Sequence, residues 1–142
     1  MNYGILCQRA LACAMLFAAV AGCGSDEGPV GSSDVTGTWE GETSQDREIV
    51  FIVESGSVAQ GEFSYTLSGD GCGGGTGAVV IQGGAAVPIE SGEFSFPRTQ
   101  IGQDTFLSAE GEFTTASSAS GTLTVEDGDR CTVVAAWSAT KQ

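Results

Sequence analysis

The residues able to do chemistry in this chain are carboxylates. It holds 18 Asp and Glu against 5 Lys and Arg, with no His, in 142 residues. Serines are plentiful, but a serine nucleophile needs a His or Lys beside it, and the sole lysine is Lys141 near the end. Without His there is no His-based triad, no His-ligated zinc and no His-held haem. What remains is acid–base work by paired carboxylates. Glu62, Glu93 and Glu112 each stand between a Gly and a Phe. A glycosidase would need two such groups about 5 Å or about 6.5–9.5 Å apart. The pattern puts each Glu on the outward face of a strand, where solvation is the ordinary role, so a carboxylate-dependent hydrolase is the lesser alternative.

Calcium is the second chemistry. Glu126-Asp127-Gly128-Asp129 sets three carboxylates around one turn, and Asp70 lies two residues from Cys72. Calcium takes about six to eight oxygen ligands, and this corner offers several, although the spacing matches no complete calcium loop. No other cofactor is expected. The third is ligand binding by aromatic side chains. Trp39, Trp137, Tyr65 and Phe106 are candidates to line a barrel mouth or a sugar-stacking face. With eleven aromatic residues in the chain, a small fold needs most of them inside. Trp39 and Trp137 are therefore assigned to the core. Tyr65 and Phe106 stay as ligand candidates, Phe106 because Leu107 shares parity with Ala109 and Phe113.

The formal charge of −13 disfavours nucleic acid and anionic lipid as partners. Arg9 is the one basic residue before Arg47, and residues 10–22 (ALACAMLFAAVAG) are all apolar or Gly. That run is shorter than the ~20 residues a spanning helix needs and has the form of a secretory signal. Its end, Val20-Ala21-Gly22-Cys23, resembles the lipobox of bacterial lipoprotein signals. The resemblance implies cleavage before Cys23 and acylation of that cysteine, so that several acyl chains hold the protein at a membrane. It also implies an outer-membrane destination where the host has one, because Gly24 and not Asp follows the lipidated cysteine. Residues 1–22 are then a signal, 23–36 a Gly/Ser/Asp-rich tether and 37–142 the folded domain.

Cys7 and Cys13 fall in the signal and Cys23 goes to lipid, which leaves Cys72 and Cys131. Export makes a disulfide between them the expected outcome, closing a loop of about 60 residues.

The elements that position these groups are strands. Past residue 36 no stretch has helical spacing, whereas alternation recurs: Phe63, Tyr65 and Leu67; Phe94 and Phe96; Leu123 and Val125; Val133, Ala135 and Trp137. Residues 49–53 (IVFIV) and 78–81 (AVVI) are apolar at every position, which predicts central or doubly covered strands. Ser55-Gly56, Gly83-Gly84, Asp127-Gly128 and the Gly-rich stretch 68–77 supply turns. Gly-Glu-Phe recurs at Gly61, Gly92 and Gly111, and the expected role of that Gly is a bulge or close approach at a strand start.

Strands are predicted near 37–43, 47–54, 57–67, 76–82, 86–90, 92–97, 104–114 and 120–139, the last a hairpin about Asp127-Gly128. The fold class is an all-β antiparallel meander of eight or nine strands, an up-and-down barrel or a sandwich. Its first strand carries Trp39 and its last Trp137, and pairing those two strands would remove exposed edges. The opening Gly37-Thr38-Trp39 looks like that of lipocalin and avidin-type barrels. The body as a whole, ending Trp137-Ser138-Ala139-Thr140-Lys141, is similar to small Gly/Ser/Thr-rich β-domains of secreted bacterial proteins, a resemblance that brings a fold but no settled activity. The function expected is a lipid-anchored, non-catalytic binding or surface module with a protein or glycan partner. A purely structural envelope lipoprotein is the alternative.

Overall fold

Alternation of apolar and polar side chains yields nine antiparallel strands: β1 (Gly37–Thr43), β2 (Glu48–Glu54), β3 (Ser57–Thr66), β4 (Thr76–Ile81), β5 (Val87–Pro88), β6 (Glu93–Gln100), β7 (Thr105–Thr115), β8 (Ser118–Asp127) and β9 (Cys131–Lys141). The structure, a computed structural model, describes residues 30–142 apart from 32, 33 and 85. The expected signal 1–22, the expected lipidation site Cys23 and the first part of the expected tether lie outside the described residues.

The strands form one curled sheet in the order β4-β3-β2-β1-β9-β8-β7-β6. The expected pairing of first and last strands is present: Trp39 lies opposite Lys141 and Thr43 opposite Trp137 in the β1–β9 ladder. Closure is incomplete at another place. Among the described residues β4 pairs with no strand but β3 and β6 with no strand but β7, apart from a single bridge from Glu93 to Glu90, and the two-residue β5 continues beside the start of β3 through Ser57–Pro88 and Val58–Val87. The sheet is thus a barrel interrupted between β4 and β6, not a two-sheet sandwich.

Turn chemistry agrees with the reading of the sequence. Gly128 has φ 61°, and the hairpin it turns puts Asp127 opposite Cys131. In the β1–β2 turn, Asp46 takes φ 56°, and the buried Thr43 hydroxyl accepts from the backbone N–H groups of Gln45 and Arg47 at 3.2 Å each. The Gln45 side chain both donates to Thr66 O (2.8 Å) and accepts from Thr66 N (3.0 Å), and Arg47 Nε donates to Thr66 Oγ1 at 2.7 Å. This turn is therefore fastened to the far end of β3.

Two expectations are corrected. For residues 49–53 the expectation of a central strand holds, since β2 lies between β1 and β3, but neither apolar run is doubly covered: Ile49, Phe51 and Val53 face the core, whereas Val50 and Ile52 are half-buried on the outer face, and Val80 of β4 is 52% exposed. β4 is also an edge strand, not a central one. Their Val and Ile residues are there for strand propensity as much as for burial. Nor do the Gly-Glu-Phe glycines all mark strand starts. Gly61 and Gly111 sit inside β3 and β7, where a Cβ would meet Phe63 Cε2 at 3.2 Å or Trp137 Cζ2 at 2.6 Å. Gly111 makes room for rings from β6 and β9, and Gly61 for the Phe63 ring of its own strand.

Candidate functional site

The interior is filled by rings. Trp39, Phe51 and Phe63 are fully buried, and Phe94, Phe113 and Trp137 nearly so. Trp39 stacks on Phe51 at 5.8 Å and meets Phe113 edge-on at 4.9 Å, while Phe51 lies 5.9 Å from Phe94 and 6.0 Å from Trp137. Trp39 Nε1 donates to Val35 O at 2.9 Å, so its one polar atom is satisfied inside. The assignment of both tryptophans to the core holds.

The two aromatic ligand candidates part company. Tyr65 is 8% exposed and turned inward over Gly77, its register partner on β4. Burial pushes its phenol above the ordinary 10.0, and the nearby Asp127 carboxylate adds to the effect. Phe106 points to the other side of the sheet, because inward parity on β7 belongs to Leu107, Ala109 and Phe113. Its ring is covered by the Arg98 guanidinium at 3.6 Å from the centroid, and Arg98 also pairs with Glu126. Tyr65 and Phe106 thus form no common face.

The disulfide joins Cys72 to Cys131, with Cα atoms 4.6 Å apart. It draws Asp70 and the Gly-rich segment toward the β8–β9 turn, where a Cβ on Gly71 would strike the Arg130 carbonyl. The acids of this corner have other engagements. Glu126 is held by Arg98, and Asp127 Oδ1 accepts from Thr105 Oγ1 at 2.6 Å. Asp70 and Asp129 are exposed. Among the described residues no group of three or more His, Cys, Asp or Glu converges as metal ligands would.

Of the three Glu candidates, two meet. Glu93 of β6 is the register partner of Glu112 of β7, whereas Glu62 is on β3, between Val50 and Val80. The Glu93–Glu112 pair opens onto a shallow outer groove also lined by Glu90, Glu110, Ser95 and Thr122. A second like-charge pair, Glu42 opposite Glu48, opens onto a groove with Glu40 and Asp46. A third groove is lined by Glu48, Val50, Ile52, Glu62 and Val80. Each of these carboxylates is exposed.

Nothing in the residue pattern alone distinguishes Glu42, Glu48, Glu90 and Glu110 from other surface acids. Parity marks them as outward, but their companionship depends on register between strands. The turn lengths about Thr43–Arg47 and between β6 and β7 carry that information only indirectly. No known family model, curated protein or solved structure matches this chain.

Proposed function

We propose that this protein is a lipid-anchored envelope lipoprotein whose β-domain is a non-catalytic module that acts through its outer surface. The observation that carries the domain's role is the filled interior. Trp39, Phe51, Phe63, Phe94, Phe113 and Trp137 occupy the space in which a lipocalin-type barrel would hold a ligand. Recognition then falls to the outward side chains, which are short, polar and acidic. The anchor reading is supported by residues 10–23: a short apolar run ending Val20-Ala21-Gly22-Cys23. Acyl chains on Cys23 would hold the chain at the membrane, and the Gly, Ser and Asp residues up to position 36 would serve as a tether. Gly24 favours the outer membrane.

Two measurements test this. Metabolic labelling with a palmitate analogue should mark the wild-type chain and not Cys23→Ala, and the variant should leave the membrane fraction. Labelling of Cys23→Ala at the wild-type level overturns the anchor. For the module, photo-crosslinking residues at Glu40 and Val134, outward positions on the neighbouring strands β1 and β9, should yield discrete adducts in cells. No adduct from either position overturns recognition through the outer surface.

A further inference from the structure

A sheet edge offers unpaired N–H and C=O groups, and chains blunt such edges with charge, proline or bulges. The two edges of this sheet are treated differently. β6 carries Pro97 and Arg98, and its register with β7 shifts between Phe96 and Thr99. β4 is Thr76-Gly77-Ala78-Val79-Val80-Ile81, with no charge, no proline and an unbroken register with β3. Its other side pairs with nothing among the described residues. Val80 is one of two large apolar side chains exposed among the described residues.

The surface behind that edge is acidic. Reading outward-facing residues across the strands, Val80 lies opposite Glu62, Glu62 opposite Val50, and Val50 opposite Glu40. In the adjoining row Glu42 faces Glu48. The ion pair among the described residues, Arg98–Glu126, is on other strands, and Arg47 is bound to Thr66. Apolar Val50, Ile52 and Val80 thus sit among four carboxylates that no cation neutralises within the described residues.

We infer that the β4 edge accepts an extended cationic segment of a partner protein, in which aliphatic residues alternate with Lys or Arg, as an added strand. The inference rests on the reading of the domain as an outer-surface module. Backbone hydrogen bonds to β4 supply the pairing, as in other strand-addition complexes. On the inner side of the added strand, aliphatic side chains fall beside Val79 and Ile81. On its outer side, Lys or Arg stems lie along Val80 with their charged ends toward Glu62. That carboxylate is two strand spacings, about 10 Å, from the new strand, a gap the two long stems bridge together. A second copy of the chain is the poorer occupant, because each copy carries a formal charge of −13 and the two repel.

The probe is a fluorescent peptide of about nine residues, an ordinary strand length, alternating Val and Lys. It is titrated with the full chain in non-ionic detergent, read by anisotropy. Saturable binding is expected. It should weaken about tenfold or more when a central proline interrupts the peptide, when Glu replaces Lys, and when the chain carries Val80→Lys. Val80 is exposed, so that variant keeps its fold, and an unchanged melting temperature checks this. Absence of saturable binding overturns the inference, as does equal binding of the proline-interrupted peptide or by the Val80→Lys chain. Sedimentation that finds a dimer abolished by Val80→Lys also overturns it and assigns the edge to a second copy. If the peptide fails while Glu40 or Val134 still yields crosslinked adducts, the strand-addition site falls and the outer-surface reading stands.

Discussion

The indole of Trp137 lies across Gly121, its register partner on the neighbouring strand, and a Cβ on Gly121 would stand 2.5 Å from Cζ2 of that ring. Gly111, the next residue along the same row, is under the ring as well, at 2.6 Å, and Phe94 follows it at the end of the row. Two side-chain-free positions in succession let one large ring span two strands and reach the aromatic cluster. The cost is a buried Nε1–H that finds no hydrogen-bond acceptor among the described residues.

Gly121→Ala should therefore destabilise the domain by about 1–3 kcal/mol, the ordinary penalty for overpacking a filled core. The added methyl would also collide with the Glu110 carbonyl, so the ring cannot relieve the strain by moving alone. The denaturant midpoint should fall while the slope stays the same, and the Trp emission should shift. Ala at Gly74, where a Cβ meets nothing within 4 Å, controls for general loss of glycine but takes φ +77°. Gly73, equally open and without a positive φ, is the cleaner control, and Gly73→Ala should be close to neutral.

The disulfide links Cys72 to Cys131 across 59 residues, and Cys131 is 2% exposed. In the chain-entropy account such a loop contributes about 4 kcal/mol by restricting the unfolded chain. Cys72→Ser should lower stability by that order and leave the β-sheet circular-dichroism spectrum intact at low temperature. Cys72 is the better site to change than Cys131, because the latter's side chain is buried and its replacement would add a packing loss. An unchanged unfolding midpoint in Cys72→Ser would show that the bond restrains nothing the fold does not already hold.

How much of this was legible in the residues follows from range. Alternation told which side chains enter the core, and parity assigned Leu107 and Phe113 inward and Phe106 outward without reference to any partner strand. Cysteine elimination gave the bridge, and Asp127-Gly128 gave the last hairpin. What parity could not give is which strand lies beside which residue. Gly111 and Gly121 are glycine because of Trp137, and Gly77 because of Tyr65, and these pairs are distant in sequence. Val50, Ile52 and Val80 looked buried because strand-forming and core-forming residues are the same types. The break between β4 and β6 was hidden as well, since β5 reads as a full strand at 86–90 but pairs over only Val87–Pro88.

Tyr65 makes the stability of the domain pH-dependent on the alkaline side. Its phenol is raised above 10.0 first by burial and then by the Asp127 charge, so the folded state holds the proton more tightly than the unfolded chain. The contribution is fully present below the unfolded value and is lost as pH rises through the folded one. Wild-type stability should thus begin to fall near pH 10, and Tyr65→Phe should remove this part of the decline. Urea midpoints measured from pH 8.5 to 11 for both chains decide it. Parallel curves would mean that Tyr65 ionises equally in the two states.

Glu42 and Glu48 face each other across β1 and β2. Like charges directly opposite on one sheet face destabilise it by about 0.2–1 kcal/mol relative to a neutral pair. Glu40 and Asp46 line the same groove, so neighbouring residues add to the repulsion and do not relieve it. Glu42→Gln should raise the melting temperature, and Glu42→Lys should raise it further by putting an opposite charge across from Glu48. Both gains should shrink as salt is added, because exposed charges are screened over about 10 Å at ordinary ionic strength. Glu54→Gln is the control, since Glu54 lies opposite Ser57 and loses no like-charge neighbour by the change. A cationic strand added at β4 should reproduce the effect from outside: the peptide of alternating Val and Lys should stabilise the wild-type chain more than Glu62→Gln at the same free concentration. Equal stabilisation of the two chains would mean that the acidic face takes no part in recognition at the edge.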